Sequence, residues 1–161
     1  MRAIDRQAMA LLVATLIADQ LSKQLLLGYL TKAGAVVSVI DGFFRLVIVW
    51  NRGVSFGLLG GDTPLPAWLL SGVAIVVCIG LFIWLRRTDR PFTGWGIGLV
   101  MGGAIGNVID RARWGAVFDF ADFHVNHWHW PAFNVADSAI VVGVGLMLID
   151  SLIGEQKARP D

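Results

Sequence analysis

The sequence predicts an all-α membrane protein with four transmembrane helices, and three observations carry that prediction. Of its 161 residues, 56% are hydrophobic and only 16% charged, where a soluble domain carries roughly 25% charged residues. Mean hydropathy is +0.67. Four apolar segments read as bilayer-crossing helices, for which about 20 residues are needed.

The first span is expected at about Met9–Leu27 and the second at about Leu65–Leu85. The third follows at about Trp95–Val108 and the last at about Asn134–Leu152. The first does not read as a removed signal peptide. Its polar cluster Asp19-Gln20-Leu21-Ser22-Lys23 lies in its C-terminal half, with no small-residue cleavage site after it. Between the first two spans, Phe43–Trp50 is rich in β-formers and too short to cross as a helix, so it reads as a strand. Asn51-Arg52-Gly53 then supplies turn chemistry, and Gly57, Gly60, Gly61, Pro64 and Pro66 break the chain before the second span. Without an internal repeat or low-complexity tract, residues 1–161 read as one integral membrane domain.

Charge sets the orientation. Arg2, Arg6, Arg86, Arg87, Arg90, Lys157 and Arg159 fall on one side, all in short segments. Lys32, Arg45, Arg52, Arg111 and Arg113 are spread over two longer loops on the other. The positive-inside rule places both termini in the cytoplasm and the two longer loops outside. Seven Trp and nine Phe suit a large membrane–water boundary. A net charge of +1 argues against a nucleic-acid partner. The single cysteine, Cys78, excludes an internal disulfide and reads as packing within an apolar span.

The polar residues inside this apolar chain are the candidate site, because a carboxylate near hydrocarbon is costly to keep. Asp119 lies between Phe118 and Phe120, where desolvation favours the protonated acid. Asn134 is a good N-cap, and Asp137 falls three residues on, where orphan amides and the helix dipole favour an anion. The aromatic loop between them, with Pro131, lets the two meet as a carboxyl dyad with a general acid and a general base. Two unrelated acids at loop ends are the competing reading. Asp19 and Lys23 are four apart and can pair, either to neutralise each other or to orient a site. Asn51 with Gly53 either turns the chain or holds an extended peptide. Gly102-Gly103-Ala104-Ile105-Gly106 is a helix-packing signal. Asn107, Asp110 and Arg111 follow it, as a helix end held by an Asp–Arg pair or as support for the site. His124, His127 and His129 do not match a helical pair of metal ligands and read as an interfacial segment beside Trp128 and Trp130, so neither metal nor cofactor is expected.

Five stretches together resemble the lipoprotein signal peptidase family, also called signal peptidase II. They are Asp19-Gln20-Leu21-Ser22-Lys23, Asn51-Arg52-Gly53-Val54-Ser55-Phe56-Gly57, Gly102 to Arg111, Val117-Phe118-Asp119-Phe120, and Phe133-Asn134-Val135-Ala136-Asp137-Ser138. The resemblance covers essentially the whole chain. It implies an aspartyl endopeptidase of the bacterial inner membrane that acts at the outer face. It would remove signal peptides from diacylglyceryl-modified prolipoproteins, cutting before the lipidated lipobox cysteine. The family's catalytic pair falls on Asp119 and Asp137. Its supporting polar residues fall on Asp19, Lys23, Asn51, Gly53, Asn107, Asp110, Arg111 and Asn134. An extracytoplasmic β-sheet cradle, a small membrane-lying helix, contact with membrane lipids and inhibition by the cyclic peptide globomycin are implied as well. Arg52 and Phe118 depart from the smaller or aliphatic residues common in the family. A small proton- or ion-coupled carrier, with the acids as a relay, is the alternative from another class.

Overall fold

The computed structural model describes residues 2–53 and 65–158. Gly57, Gly60, Gly61 and Pro64, expected to supply the small membrane-lying helix, lie outside the described residues, as does Arg159. Helix α1 spans Ala3–Ala33, α2 Ala67–Arg87, α3 Pro91–Trp114 and α4 Val135–Ala158. All four are long and apolar enough to cross a membrane. Large apolar side chains such as Ile17, Leu25, Val76, Val141 and Leu152 point outward and stay exposed, as lipid-facing surfaces do. The protein is a multi-pass membrane protein.

Helices α1, α3 and α4 are longer than the apolar runs, while α2 keeps the expected length and is shifted two residues along the chain. At its start α1 gains six residues because Asp5 is matched by cations, Arg2 at 2.7 Å and Arg86 at 3.1 Å. It ends where Gly34 adopts φ 98 and returns an N–H to the Leu30 carbonyl, a left-handed cap that suits glycine. Helix α3 begins four residues early on Pro91 and runs to Trp114, closed by Gly115 at φ 70.

Helix α3 is the central element, far more buried than the other three. Its glycines make that approach feasible. A Cβ on Gly98 would strike the Ala8 carbonyl of α1, and one on Gly103 the Ala136 carbonyl of α4. The small-residue packing signal is thus where the helices meet. Cys78 packs with Ala8, Leu12, Leu85, Ile97 and Met101.

Outside the bundle lies a four-stranded antiparallel sheet in the order β1 (Val36–Ile40), β2 (Phe44–Asn51), β3 (Val117–Val125), β4 (Trp128–His129). The expected strand is β2. Strand β3 is a correction, since Asp119 was expected at the edge of an aromatic loop. Its first six residues are all buried, so it lacks the alternation that identifies a strand open to water on one face. Leu30, Phe118, Phe120 and Ala121 form a second core that seats the sheet on the end of α1.

Candidate active site

Four elements converge where the sheet meets the bundle. Helix α4 starts with a capping box. The Asp137 N–H donates to Asn134 Oδ1 at 2.9 Å, and the Asn134 N–H donates to Asp137 Oδ2 at 3.3 Å. The cap residue then has its amide free to point sideways. Asn134 Nδ2 donates to Asp119 Oδ1 at 2.7 Å, and is also within 3.3 Å of Asn107 Oδ1 and the Phe118 carbonyl. Asn134 therefore touches both aspartates, through its side chain on one and its cap on the other.

The remaining carboxylate oxygens are matched too. Asn107 Nδ2 on α3 donates to Asp137 Oδ1 at 2.9 Å. Asn51 Nδ2 at the end of β2 donates to Asp119 Oδ2 at 3.2 Å, while Asn51 Oδ1 accepts the Gly53 N–H at 3.1 Å. That Asx turn fixes which face of the Asn51 amide meets Asp119.

Burial separates the two acids. Asp119 is 1% exposed; on the other face of β3, Phe118 packs against Trp50 and Phe120 at 5.5 and 5.8 Å. Asp137 is half-buried. Burial first, and then the charge of Asp137, push the Asp119 carboxyl from 3.8 up to about 7, against the opposing pull of the Asn51 and Asn134 hydrogen bonds. The pair is thus electrostatically coupled and chemically unequal.

Beneath it lies a dry polar layer. Lys23 Nζ sits 2.9 Å from Asp19 Oδ2 and 2.8 Å from Asp110 Oδ2, all three side chains being fully buried. It also donates to Asn107 Oδ1 at 3.2 Å, so the layer ends on the residue that holds Asp137. Asp19 Oδ1 accepts the Ala136 N–H at 3.0 Å, which ties the first turn of α4 to α1. Asp110 Oδ2 accepts the Phe118 N–H at 3.2 Å and so fixes the start of β3.

The expected Asp19–Lys23 pair is present, but Asp110 takes Lys23 as its ion partner rather than the adjacent Arg111. Consecutive residues on a helix diverge by about 100°, whereas α1 faces Asp110 directly. Arg111 is half-buried and interacts electrostatically with Asp137, Asp119 and Asp110. Asp119, and not Asp110, is the acid brought to Asp137. Gln20 is a residue that sequence reasoning did not single out. Its Nε2 contacts Asp19, Asp110 and the Gly106 carbonyl, and its Oε1 accepts from Arg113. Its position between Asp19 and Lys23 was the available signal.

A protein-family model described as signal peptidase (SPase) II matches residues 11–153. The chain is 41% identical over 157 residues to a lipoprotein signal peptidase of Methylobacterium sp. (strain 4-46), covering 95% of each chain. It is 44% identical over 147 residues to that of Methylorubrum extorquens (strain PA1), covering 91% of this chain and 86% of the relative. A solved bacterial membrane enzyme superposes with TM-score 0.76 at 28% identity, over 96% of this chain and 92% of that one. With a four-span bundle, a small sheet and a family match across most of its length, the chain belongs to the signal peptidase II family.

Proposed function

We propose that the protein is an aspartic endopeptidase that removes signal peptides from prolipoproteins whose lipobox cysteine carries diacylglycerol, cutting just before that cysteine. One observation carries the reading: two coupled carboxyls of opposite character, Asp119 buried with its pKa near 7 and Asp137 half-buried at a helix N-terminus. Such a pair supplies a proton donor and a proton acceptor without a metal or a nucleophilic side chain.

Asp137, as carboxylate, takes a proton from water, and the water oxygen attacks the carbonyl carbon before the cysteine. Asp119 gives its proton to the carbonyl oxygen, leaving a gem-diol. The C–N bond then breaks as the leaving amine takes the proton from Asp137. A gem-diol hydroxyl returns a proton to Asp119, so both acids end as they began. The protons are shared, and apparent pKa values belong to the pair.

Asn51, Asn107 and Asn134 aim amide donors at the two carboxylates, so we assign them positioning rather than an oxyanion hole. Asp19, Lys23 and Asp110 hold the start of α4 and of β3 in place. Gly53 anchors the Asn51 amide, and Arg111 adds positive field near both aspartates. The excess of basic residues on the terminal side supports an inner-membrane location with both termini cytoplasmic and the site at the outer face. There the substrate's acyl chains remain among lipids while the scissile bond meets water. Globomycin is then expected to compete for the same cradle. The carrier alternative finds no support, since Asp19 and Asp110 are already paired through Lys23 and the relatives are peptidases.

The test is cleavage of a diacylglyceryl-modified lipobox peptide by purified protein. Asp119→Asn and Asp137→Asn should each lower kcat by about 100- to 10,000-fold, the range for general acid–base groups, in protein that remains folded in the membrane. A folded Asp119→Asn protein with full activity would exclude the dyad.

A further inference from the structure

The β3–β4 hairpin carries a second cluster that the dyad does not use. The sequence spacing of His124, His127 and His129 lacks a supporting Cys or Glu and does not match a helical pair of metal ligands. On the hairpin the geometry changes. His124 and His129 are directly paired across the two strands, their rings stacked with centroids 5.3 Å apart. Asp122 lies two residues before His124 and so on the same face of β3, opposite to that of Asp119. One ligand atom each from Asp122, His124 and His129 lies within 4.8 Å of the others.

Two further observations point to a ligand. Among the described residues, His124 Nδ1 is the one buried side-chain polar atom with no hydrogen-bond partner, a state that is costly in a folded protein. Asp122 is already oriented. Arg45 Nε holds its Oδ2 at 2.5 Å, leaving Oδ1 directed at His129 Nδ1, 3.3 Å away. A carboxylate steered by a neighbouring donor is how metal ligands are commonly fixed.

We propose that Asp122, His124 and His129 form a site for a divalent transition-metal ion of the Zn²⁺ class, with a fourth position left to water. Two imidazoles and a carboxylate suit late first-row cations and not Mg²⁺ or Ca²⁺, which take oxygen ligands. Tetrahedral coordination needs ligand atoms about 3.4 Å apart, which the exposed His129 reaches by side-chain rotation. His129 binds as neutral imidazole, its ring proton on the nitrogen that does not face the ion. The site clips β4 to the strand that carries Asp119.

Titration of tag-free, full-length protein in micelles with Zn²⁺ alone, against a chromogenic chelator, tests this. One Zn²⁺ per chain is expected. His129→Gln, at an exposed position, should weaken binding at least as much as loss of an orienting partner does, about 10- to 100-fold. His124→Gln should do the same, while His127→Gln, exposed on the turn, should leave affinity unchanged. Mg²⁺ alone should not compete. The proposal is overturned if Zn²⁺ does not bind stoichiometrically or if His129→Gln binds like the wild type. Equal weakening by all three substitutions, or competition by Mg²⁺ at equal concentration, overturns it too. Peptide cleavage is not the readout, so the outcome is independent of the dyad.

Discussion

Asp119→Asn should abolish cleavage and yet remove a pH-dependent weakness from the fold. The folded protein holds the Asp119 proton until about pH 7, whereas an aspartate in its ordinary setting releases it near 3.8. Between these values the folded state binds the extra proton, so stability falls as pH rises from about 4 to about 7 and then levels. The rise from 3.8 to about 7 corresponds to about 4 kcal/mol in total. Of that, about 2–3 kcal/mol is lost between roughly pH 5 and pH 8. An asparagine stays neutral and removes this slope. It also turns an NH2 toward either the Asn51 or the Asn134 amide, a mismatch costing about 1–3 kcal/mol at every pH. Absolute stabilities of the two proteins can therefore come out close, and the informative quantity is the difference between their pH dependences. Denaturant unfolding in micelles, followed by tryptophan fluorescence at the two pH values, measures it. Wild type should lose about 2–3 kcal/mol relative to the variant on going to the higher pH. Parallel curves, or a wild type that gains on the variant, would refute the buried-acid assignment.

The same carboxyl governs rate. If Asp119 is the proton donor, kcat should fall about tenfold per pH unit above pH 7, as seen in a pH profile with the lipopeptide. Asp137→Asn should lower the apparent pKa of Asp119 only in part, because burial outranks the Asp137 charge among its causes; titration by NMR or infrared spectroscopy checks this. Gly106→Ala places a methyl 2.5 Å from Asp19 Oδ2, and overpacking of this kind costs about 1–3 kcal/mol. Thermal unfolding should report that loss, together with reduced activity as Asp19 releases the Ala136 N–H. Lys23→Met leaves Asp19 and Asp110 buried without their shared cation, a change worth about 3–5 kcal/mol and visible as a lower unfolding temperature.

The helices were legible because hydrocarbon demands apolar runs, but their ends were not. Asp5 and Arg113 look like boundaries by composition, and only their partners Arg2, Arg86 and Gln20 let the helices continue past the run. The Asn134 cap and the Asp137 position were readable because capping is local chemistry spanning three residues. Asp119 was legible as a costly acid but not as a strand residue, since β3 is covered on both sides. The ion partner of Asp110 was not legible for a related reason. Lys23 is 87 positions away in sequence, and no local pattern favours it over the adjacent Arg111.

Placing the two acids on different kinds of element resolves a conflict inside any carboxyl dyad. The donor must be dry enough to keep its proton near neutral pH, while the acceptor needs water beside it. Two acids on one helix face would share one degree of exposure. Here Asp119 comes from the fully buried part of a strand, and Asp137 from a half-buried helix start with ready-made amide donors. Backbone bonds between Phe133 and β3 already bring the two elements together, and Asn134 then links the acids themselves with one side chain whose oxygen caps α4 while its nitrogen holds Asp119. Asn134→Asp keeps a capping oxygen but loses the donor and adds a third carboxyl, so it should harm cleavage far more than it harms α4. A variant with full activity would mean that the separation is set elsewhere, through Asn107 or through the Asp19 bond to α4.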